Sequence, residues 1–393
     1  MSVRVRLAQL DDSQMAIIHL LTPEYPPAIG GVGDYARQVA QGLAEAGDDA
    51  HVWCPGENGR ESLAGQVRVH RTLGTFSAED LRRTDAGLNA FPLPRRILVQ
   101  WVPHGYGRRA MNLPFCLWLR RRAATGDRIE LMVHEPYLEF AGTWRQKAAA
   151  AVHRVMTVVL LRAADRVWMS IPAWQPRLQP YALGRVVPFA WLPIPSALDE
   201  PSFDAVTRLR AALGADRARL IGHVGTYGSL VSTLLDALLP DLLRDVPDAR
   251  LVLIGEKSGS YAAGFLDRHP ELRDRIIATG FVEPAHIGTH VAACDVLIQP
   301  YPDGVSARRT TTMAGLFLGV PVVTTSGHLT EPFWERSQTV RLAEVGDWRA
   351  FNAHVLRLIA APEERRRMSS DARRYYDEHF DVRHTISVLR SAA

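Results

Sequence analysis

Short apolar runs alternate along this chain with longer segments of helical periodicity, and most runs end at glycine or proline. Met15–Thr22 (MAIIHLLT) is followed by the turn-rich PEYPPAIGGVGD. Tyr35–Ala46 (YARQVAQGLAEA) then spaces its apolar positions for a helix that Gly47 closes. AHVWCPG supplies a second strand, so the first 56 residues read as a βαβ unit. Further strands are predicted at Val67–Val69, Ile97–Trp101, Leu131–His134, Arg166–Ser170 and Val186–Phe189, with helices at Asn112–Ala124 and Ala141–Ala163.

The stretch from Phe189 to Ser202, with three prolines, suits a linker rather than a helix or strand. A second cycle of strands follows at Leu220–Val224, Arg250–Ile254, Ile276–Thr279, Val296–Gln299, Val320–Thr324 and Thr339–Arg341, with helix-length segments between them. Trp348–Ala393 is helical by pattern. The fold class expected is α/β, with two Rossmann-like doubly wound domains, residues 1–196 and 197–393, facing across a cleft. The final helix is a candidate to pack back on the first domain.

A chain of 393 residues, 47% hydrophobic, has ample material for two cores. No apolar run reaches the ~18 residues that span a bilayer, and the N-terminus has no signal-peptide pattern, which points to the cytoplasm. Cys54, Cys116 and Cys294 lack zinc or disulfide spacing and read as buried spectators. Residues 1–195 hold 23 Lys+Arg against 17 Asp+Glu, whereas residues 196–393 hold 23 against 25. The basic first half leaves room for peripheral contact with the inner membrane face, and Arg120, Arg121 and Arg122 are candidates for it. No reader motif or basic tail points to nucleic acid.

The chemistry-bearing residues gather where strands end. Val291–Thr325 reads as strand, Pro/Gly-broken loop, helix, strand, and the helix start carries Ser306, Arg308, Arg309, Thr310 and Thr311. A helix N-terminus with two guanidiniums beside it suits a diphosphate. Asp303 is the acid of that loop. Gly30, Gly31 and Gly33 open the first helix, and Gly225, Thr226, Tyr227 and Gly228 occupy the matching place in the second half. Glycine there lets backbone N–H groups approach a ligand. His134 and Glu135 follow one strand, His104 and His223 lie near others, Lys257 follows LVLIGE, and Phe281 and Val282 follow a third strand of the second half.

In this order, GGVGDYARQVAQGLAEAG, HEP, GHVGTYG, LVLIGE, TGFVE, ACDVLIQPY and GVPVVTT resemble the retaining glycosyltransferases of the GT-B fold, the group 1 family. The resemblance spans most of the chain. It implies a nucleotide-diphosphate sugar donor on the second domain and a glycan, lipid-linked or small-molecule acceptor mainly on the first. Transfer would proceed with retention, without a cofactor and without a metal. It sets Gly225 and Thr226 against the diphosphate, Phe281 and Val282 against the base, His134 beside the transferring sugar, and Gly30, Gly31 and Val32 against donor phosphates or acceptor. Lys257, Asp303, Ser306 and Thr310 join the donor side, His104 and Glu135 the acceptor side.

Two departures stand out. Where the family carries two glutamates, this chain has Ser306 and Ala314, and Gly228–Leu243 lacks the usual Arg and Lys. Arg308 and Arg309 are the expected replacements for that basic pair, because a departing diphosphate needs donors already in place. The departures keep two other readings open: an isomerase resembling UDP-sugar 2-epimerases, and a catalytically silent sugar-nucleotide-binding protein.

Overall fold

The computed structural model describes residues 15–28, 30–56, 61–107 and 110–392. Residues 1–14, on which the reading of a missing signal peptide rests, lie outside these, as does Ala393 at the end of the helical tail. The chain divides into two compact units. One runs to Leu192 and is completed from Val382 onward; the other is Pro193–Asp381.

The first unit follows the order β1 (Ile17–Leu21), α1 (Gly31–Glu45), β2 (Asp49–Trp53), β3 (Glu61–Ala64), β4 (Val67–His70), α2 (Ala78–Leu88), β5 (Arg96–Trp101), α3 (Leu113–Ala124), β6 (Arg128–Val133), α4 (Trp144–Ala163), β7 (Arg166–Met169), α5 (Trp174–Leu178) and β8 (Phe189–Trp191). Its sheet has the order β3-β4-β2-β1-β5-β6-β7-β8, with only the β3–β4 pair antiparallel. α1 buries Tyr35, Ala36, Val39, Ala40 and Leu43, one helical stripe turned to the core.

Local signals explain where the elements depart from the expected pattern. α4 starts at Trp144 rather than Ala141 because Thr143 caps it: its hydroxyl accepts from Gln146 N–H, and Gln146 returns a bond to Thr143 N–H. α2 is announced by the same device, Ser77 with Asp80, in a stretch that lacks a strong apolar pattern. The strand expected at Val186–Phe189 forms at Phe189–Trp191 instead, with Val186 left exposed. Of the three arginines Arg122 is buried against Asp127 and Asp85, while Arg120 and Arg121 stay exposed, Arg121 pairing with Asp85.

The second unit continues with α6 (Phe203–Ala212), β9 (Arg219–Val224), α7 (Ser229–Asp245), β10 (Ala249–Ile254), α8 (Ser258–Arg268), β11 (Ile276–Ala278), α9 (Pro284–Ala292), β12 (Val296–Gln299), α10 (Thr310–Phe317), β13 (Val322–Ser326), α11 (Pro332–Ser337), β14 (Val340–Glu344), α12 (Trp348–Ala360) and α13 (Pro362–His379). All six strands are parallel, in the order β11-β10-β9-β12-β13-β14. Leu235, Leu238, Leu239 and Leu242 of α7 share a buried cluster with Phe351, Val355 and Leu358 of α12. The helical tail is three helices rather than one, broken first where Pro362 opens α13. It returns to the first unit as α14 (Val382–Ser391). α14 packs on α1 at Gly42, where a Cβ would collide with Ile386, and its Arg390 pairs with buried Asp48 at 3.2 Å.

Both sheets reverse direction beside their first strand, between β1 and β5 and between β9 and β12. Ligands of doubly wound sheets sit outside the carboxyl ends of strands at such a reversal. Among the described residues no helix is long and apolar enough to cross a membrane. All three cysteines are free and buried, and burial pushes the thiols of Cys54 and Cys294 up to about 11 and about 12, away from reactivity.

Candidate functional site

In the second unit the reversal lies between the loops that follow β9 and β12. The β12 loop is stitched to its neighbour: Thr324 Oγ1 donates to Gln299 O at 2.6 Å, and Thr325 Oγ1 exchanges two 2.7 Å bonds with the backbone of Tyr301. Gly304 has φ +85°, and a Cβ there would strike the backbone of Gly327. Asp303 holds both guanidiniums, Arg308 at 2.6 Å and Arg309 beside it. Arg309 also lies over the Tyr301 ring, 4.5 Å from its centroid, and Tyr301 Oη meets Thr311 Oγ1 at 2.6 Å. Two positive charges are thus fixed at the start of α10, whose first turn has no side-chain cap. Asp303, expected on the donor side, has its carboxylate committed to the arginines. Ser306 is fully buried, and its Oγ has no hydrogen-bond partner among the described residues.

Behind this loop stands Glu331, whose carboxylate accepts from Ala307 N–H at 3.0 and 3.2 Å and from Trp334 Nε1–H at 2.8 Å. Burial pushes its carboxyl up to about 7, although those donors and Arg308 pull the other way.

The loop after β9 carries Gly225, Thr226, Tyr227 and Gly228. Tyr227 has φ +53°, held there because its hydroxyl donates to His223 O and Ile254 O, each at 3.2 Å. Gly228 then caps α7 without any side-chain bond, so the first amides of that helix have no side-chain acceptor. Gly255, at φ +131°, lies against Gly225 O, where a Cβ would collide, and it bridges to Gly280. The loops after β9, β10 and β11 are thereby drawn together. Lys257 is exposed just before α8, Phe281 is 57% exposed and Val282 half-buried, while Ser258 Oγ accepts from Gly280 N–H at 2.9 Å. His223 is buried, meets Ile298 O at 2.8 Å and ties β9 to β12; burial pushes it down to about 4, so it stays neutral.

The first unit is built differently at its reversal. The N-terminus of α1 is occupied from within: Glu24 Oε1 accepts from Val32 N–H at 2.9 Å and Gly33 N–H at 3.0 Å, and a Cβ on Gly30 would strike that carboxylate. An anion reaching Val32 N–H has to displace Glu24, whereas a Cβ on Gly31 would meet nothing. His134 follows β6, buried, with Nε2 2.9 Å from Gln100 Oε1 and the Tyr35 ring edge-on at 5.2 Å. Burial pushes it down to about 3, so the imidazole is neutral at physiological pH. With Oε1 facing Nε2, the proton sits on Nε2 and Nδ1 remains an acceptor. His104 and Glu135 are a loose exposed pair, 3.9 Å apart.

Reading the sequence alone did not single out Glu24, Gln100 or Glu331. Glu331 had a legible signal, since an acid before a proline commonly marks a helix start. Among the described residues no group of three or more His, Cys, Asp or Glu is placed to hold a metal ion.

Residues 218–361 match the family model described as "Glycosyl transferases group 1". No curated protein matches the sequence significantly. Solved structures similar to the whole chain include the sucrose-phosphate synthase of Thermosynechococcus elongatus, at 17% identity and TM-score 0.71, covering 96% of this chain and 98% of that one. HepE of Anabaena in complex with UDP follows at 16% identity and TM-score 0.67, covering 96% and 100%. WaaG, a glycosyltransferase involved in lipopolysaccharide biosynthesis, has 15% identity and TM-score 0.65, covering 96% and 98%. The fold along the whole chain is therefore GT-B, and residues 218–361, within the second unit, match the group 1 glycosyltransferase family model.

Proposed function

We propose that this chain moves a sugar from a nucleotide-diphosphate donor to a glycan, lipid-linked or small-molecule acceptor, with retention and without a metal. The observation that carries the proposal is the Asp303–Arg308–Arg309 set at the start of α10, which follows β12, the neighbour of the strand β9 that leads to the uncapped N-terminus of α7. A leaving diphosphate gathers negative charge, and two preset guanidiniums with open helix amides offer the stabilisation that a divalent ion would otherwise supply. Gly225 and Thr226 are assigned to the diphosphate with Ser306 and Thr310, Phe281 and Val282 to the base, and Lys257 to the donor side.

On the first unit His134 is assigned to the sugar, as a neutral imidazole that orients a hydroxyl and takes no charge. Gly30, Gly31, Val32, His104 and Glu135 are assigned to the acceptor. UDP is the first nucleotide to test, because it is the one bound in HepE. A cytoplasmic enzyme touching a membrane surface fits the exposed Trp144 (74%), Phe140 and Leu138 beside Arg145 and Lys147.

A silent binding protein is the second reading, favoured by Ser306 and Ala314 at the places of the family glutamates, both buried and without charge. An isomerase fares worse, since Asp303 is bound to arginines and Glu331 to Ala307 and Trp334. A thermal-shift screen over UDP-, ADP- and GDP-sugars, followed by donor hydrolysis without acceptor, decides. One preferred nucleotide with slow release of free sugar supports the transferase; binding without release supports the silent protein; no stabilisation by any nucleotide overturns both.

A further inference from the structure

We infer that Glu331 is a positioning residue for the donor, whose carboxylate form sets the loop carrying Ser306, Arg308 and Arg309, so that donor binding requires Glu331 to be deprotonated. The inference rests on the donor reading of that loop. Its geometry is specific. Both oxygens of Glu331 converge on one amide, Ala307 N–H, which lies between Ser306 and Arg308, and the same carboxylate takes Trp334 Nε1–H.

A carboxylate offers only acceptors and satisfies all of these donors. A carboxylic acid keeps a single full acceptor oxygen, and uncharged, for donors that the carboxylate shares between two, so protonation weakens the hold on Ala307 N–H. The surroundings make that proton available. The charged side chain acting on Glu331 is Arg308, with Asp303 and Arg309 beyond it in the same ion-pair set. The other flank is aromatic, Trp334 with Phe380 stacked behind it. Burial brings the carboxyl up to about 7, inside the working range of a cell.

The sign separates this effect from stability. Between its ordinary value of 4.5 and about 7, the folded chain holds the Glu331 proton and the unfolded chain does not, so this group alone makes folding more favourable as pH falls. Donor binding goes the other way, weakening as pH falls through about 7. Loss of binding at acid pH is therefore not loss of fold through Glu331.

The test is the dissociation constant of whichever of UDP-glucose, ADP-glucose and GDP-mannose binds the full-length chain tightest, measured by calorimetry from pH 5.5 to 8.5. The diphosphate of a nucleotide sugar is esterified at both ends and does not titrate in this range. Wild type is expected to bind about tenfold more weakly at pH 6 than at pH 8, the ratio for one required deprotonation near 7. Glu331→Gln, which keeps the shape but cannot ionise, is expected to bind weakly at every pH, with a flat profile. Trp334→Phe removes one donor to the carboxylate and should move the weakening to higher pH; it also serves if Glu331→Gln fails to fold. A wild type that binds none of the three sugars overturns the donor reading and this inference with it. A wild type that binds, with Glu331→Gln giving the same affinity and the same pH profile, or with Trp334→Phe leaving that profile in place, overturns this inference alone.

Discussion

The two units share a strand order around their reversal points but treat the helix N-terminus there in opposite ways. In the first, Glu24 fills the start of α1 with its own carboxylate; in the second, α7 begins uncapped and α10 begins beside two arginines. A helix N-terminus attracts one anion or another. Where the protein supplies that anion itself, the site is closed to a phosphate unless a side chain leaves. The same contrast holds for charge: near the first reversal the buried His134 is neutral, while the second gathers two guanidiniums against one committed aspartate. Similar scaffolds thus carry a helix start filled from within in one half, and in the other an uncapped helix start and a pair of guanidiniums.

Arg309→Ala should break this comparison most severely, lowering turnover about a hundredfold or more, the scale of losing one preset donor to developing charge. Steady-state kinetics and donor affinity unchanged from wild type would remove the charge argument. His134→Ala should cost about tenfold in kcat, the worth of roughly one hydrogen bond, while donor affinity stays nearly level. An equal small effect on both constants would leave His134 a packing residue against Tyr35. Glu24→Ala should act on folding, lowering stability by about 1 kcal/mol as an uncapped helix does, with donor affinity unchanged; denaturant titration measures it. Tighter donor binding by that variant would show that α1 competes for the phosphates after all.

The smallest effect concerns pH. His19, His51 and His70 lie on adjacent strands β1, β2 and β4, with His51 Nδ1 2.9 Å from His70 Nε2. Burial first, then mutual repulsion, pushes His19 down to about 3 and His70 to about 4, and His51 is lowered too, mainly by burial. Below 6.5 the unfolded chain takes up protons that the folded cluster refuses, so the stability from keeping these rings neutral is present above 6.5 and drains away as pH falls toward 4. Urea midpoints at pH 7.5 and pH 5, followed through Trp53, which stacks on His70 at 4.0 Å, should show the decline. A higher midpoint at pH 5 would contradict it.

The fold was legible because continuous apolar runs and glycine-ended helices repeat with little ambiguity, as at Ile17–Leu21 and Val296–Gln299. Elements set by capping were harder: α2 owes its start to Ser77 and Asp80, polar residues that carry no hydrophobic signal. The candidate residues were readable wherever chemistry sits at a strand end in the sequence itself, as with Arg308 and Arg309. Their partners were not, since Glu24 lies eight positions before Val32 and Glu331 lies 24 after Ala307, separations that only the folded backbone closes. Arg122 shows the converse, one arginine of a run read as a candidate surface contact that sits instead in a buried ion-pair centre.

A crystal structure of the full-length chain with a bound nucleotide sugar measures the central contrast most directly. The diphosphate oxygens should lie within hydrogen-bond reach of the first amides of α7 and of the Arg308 and Arg309 guanidiniums, with Glu24 still on Val32 and Gly33. A diphosphate seated on Val32 and Gly33 with Glu24 displaced, and the two arginines still closed on Asp303, would contradict the account.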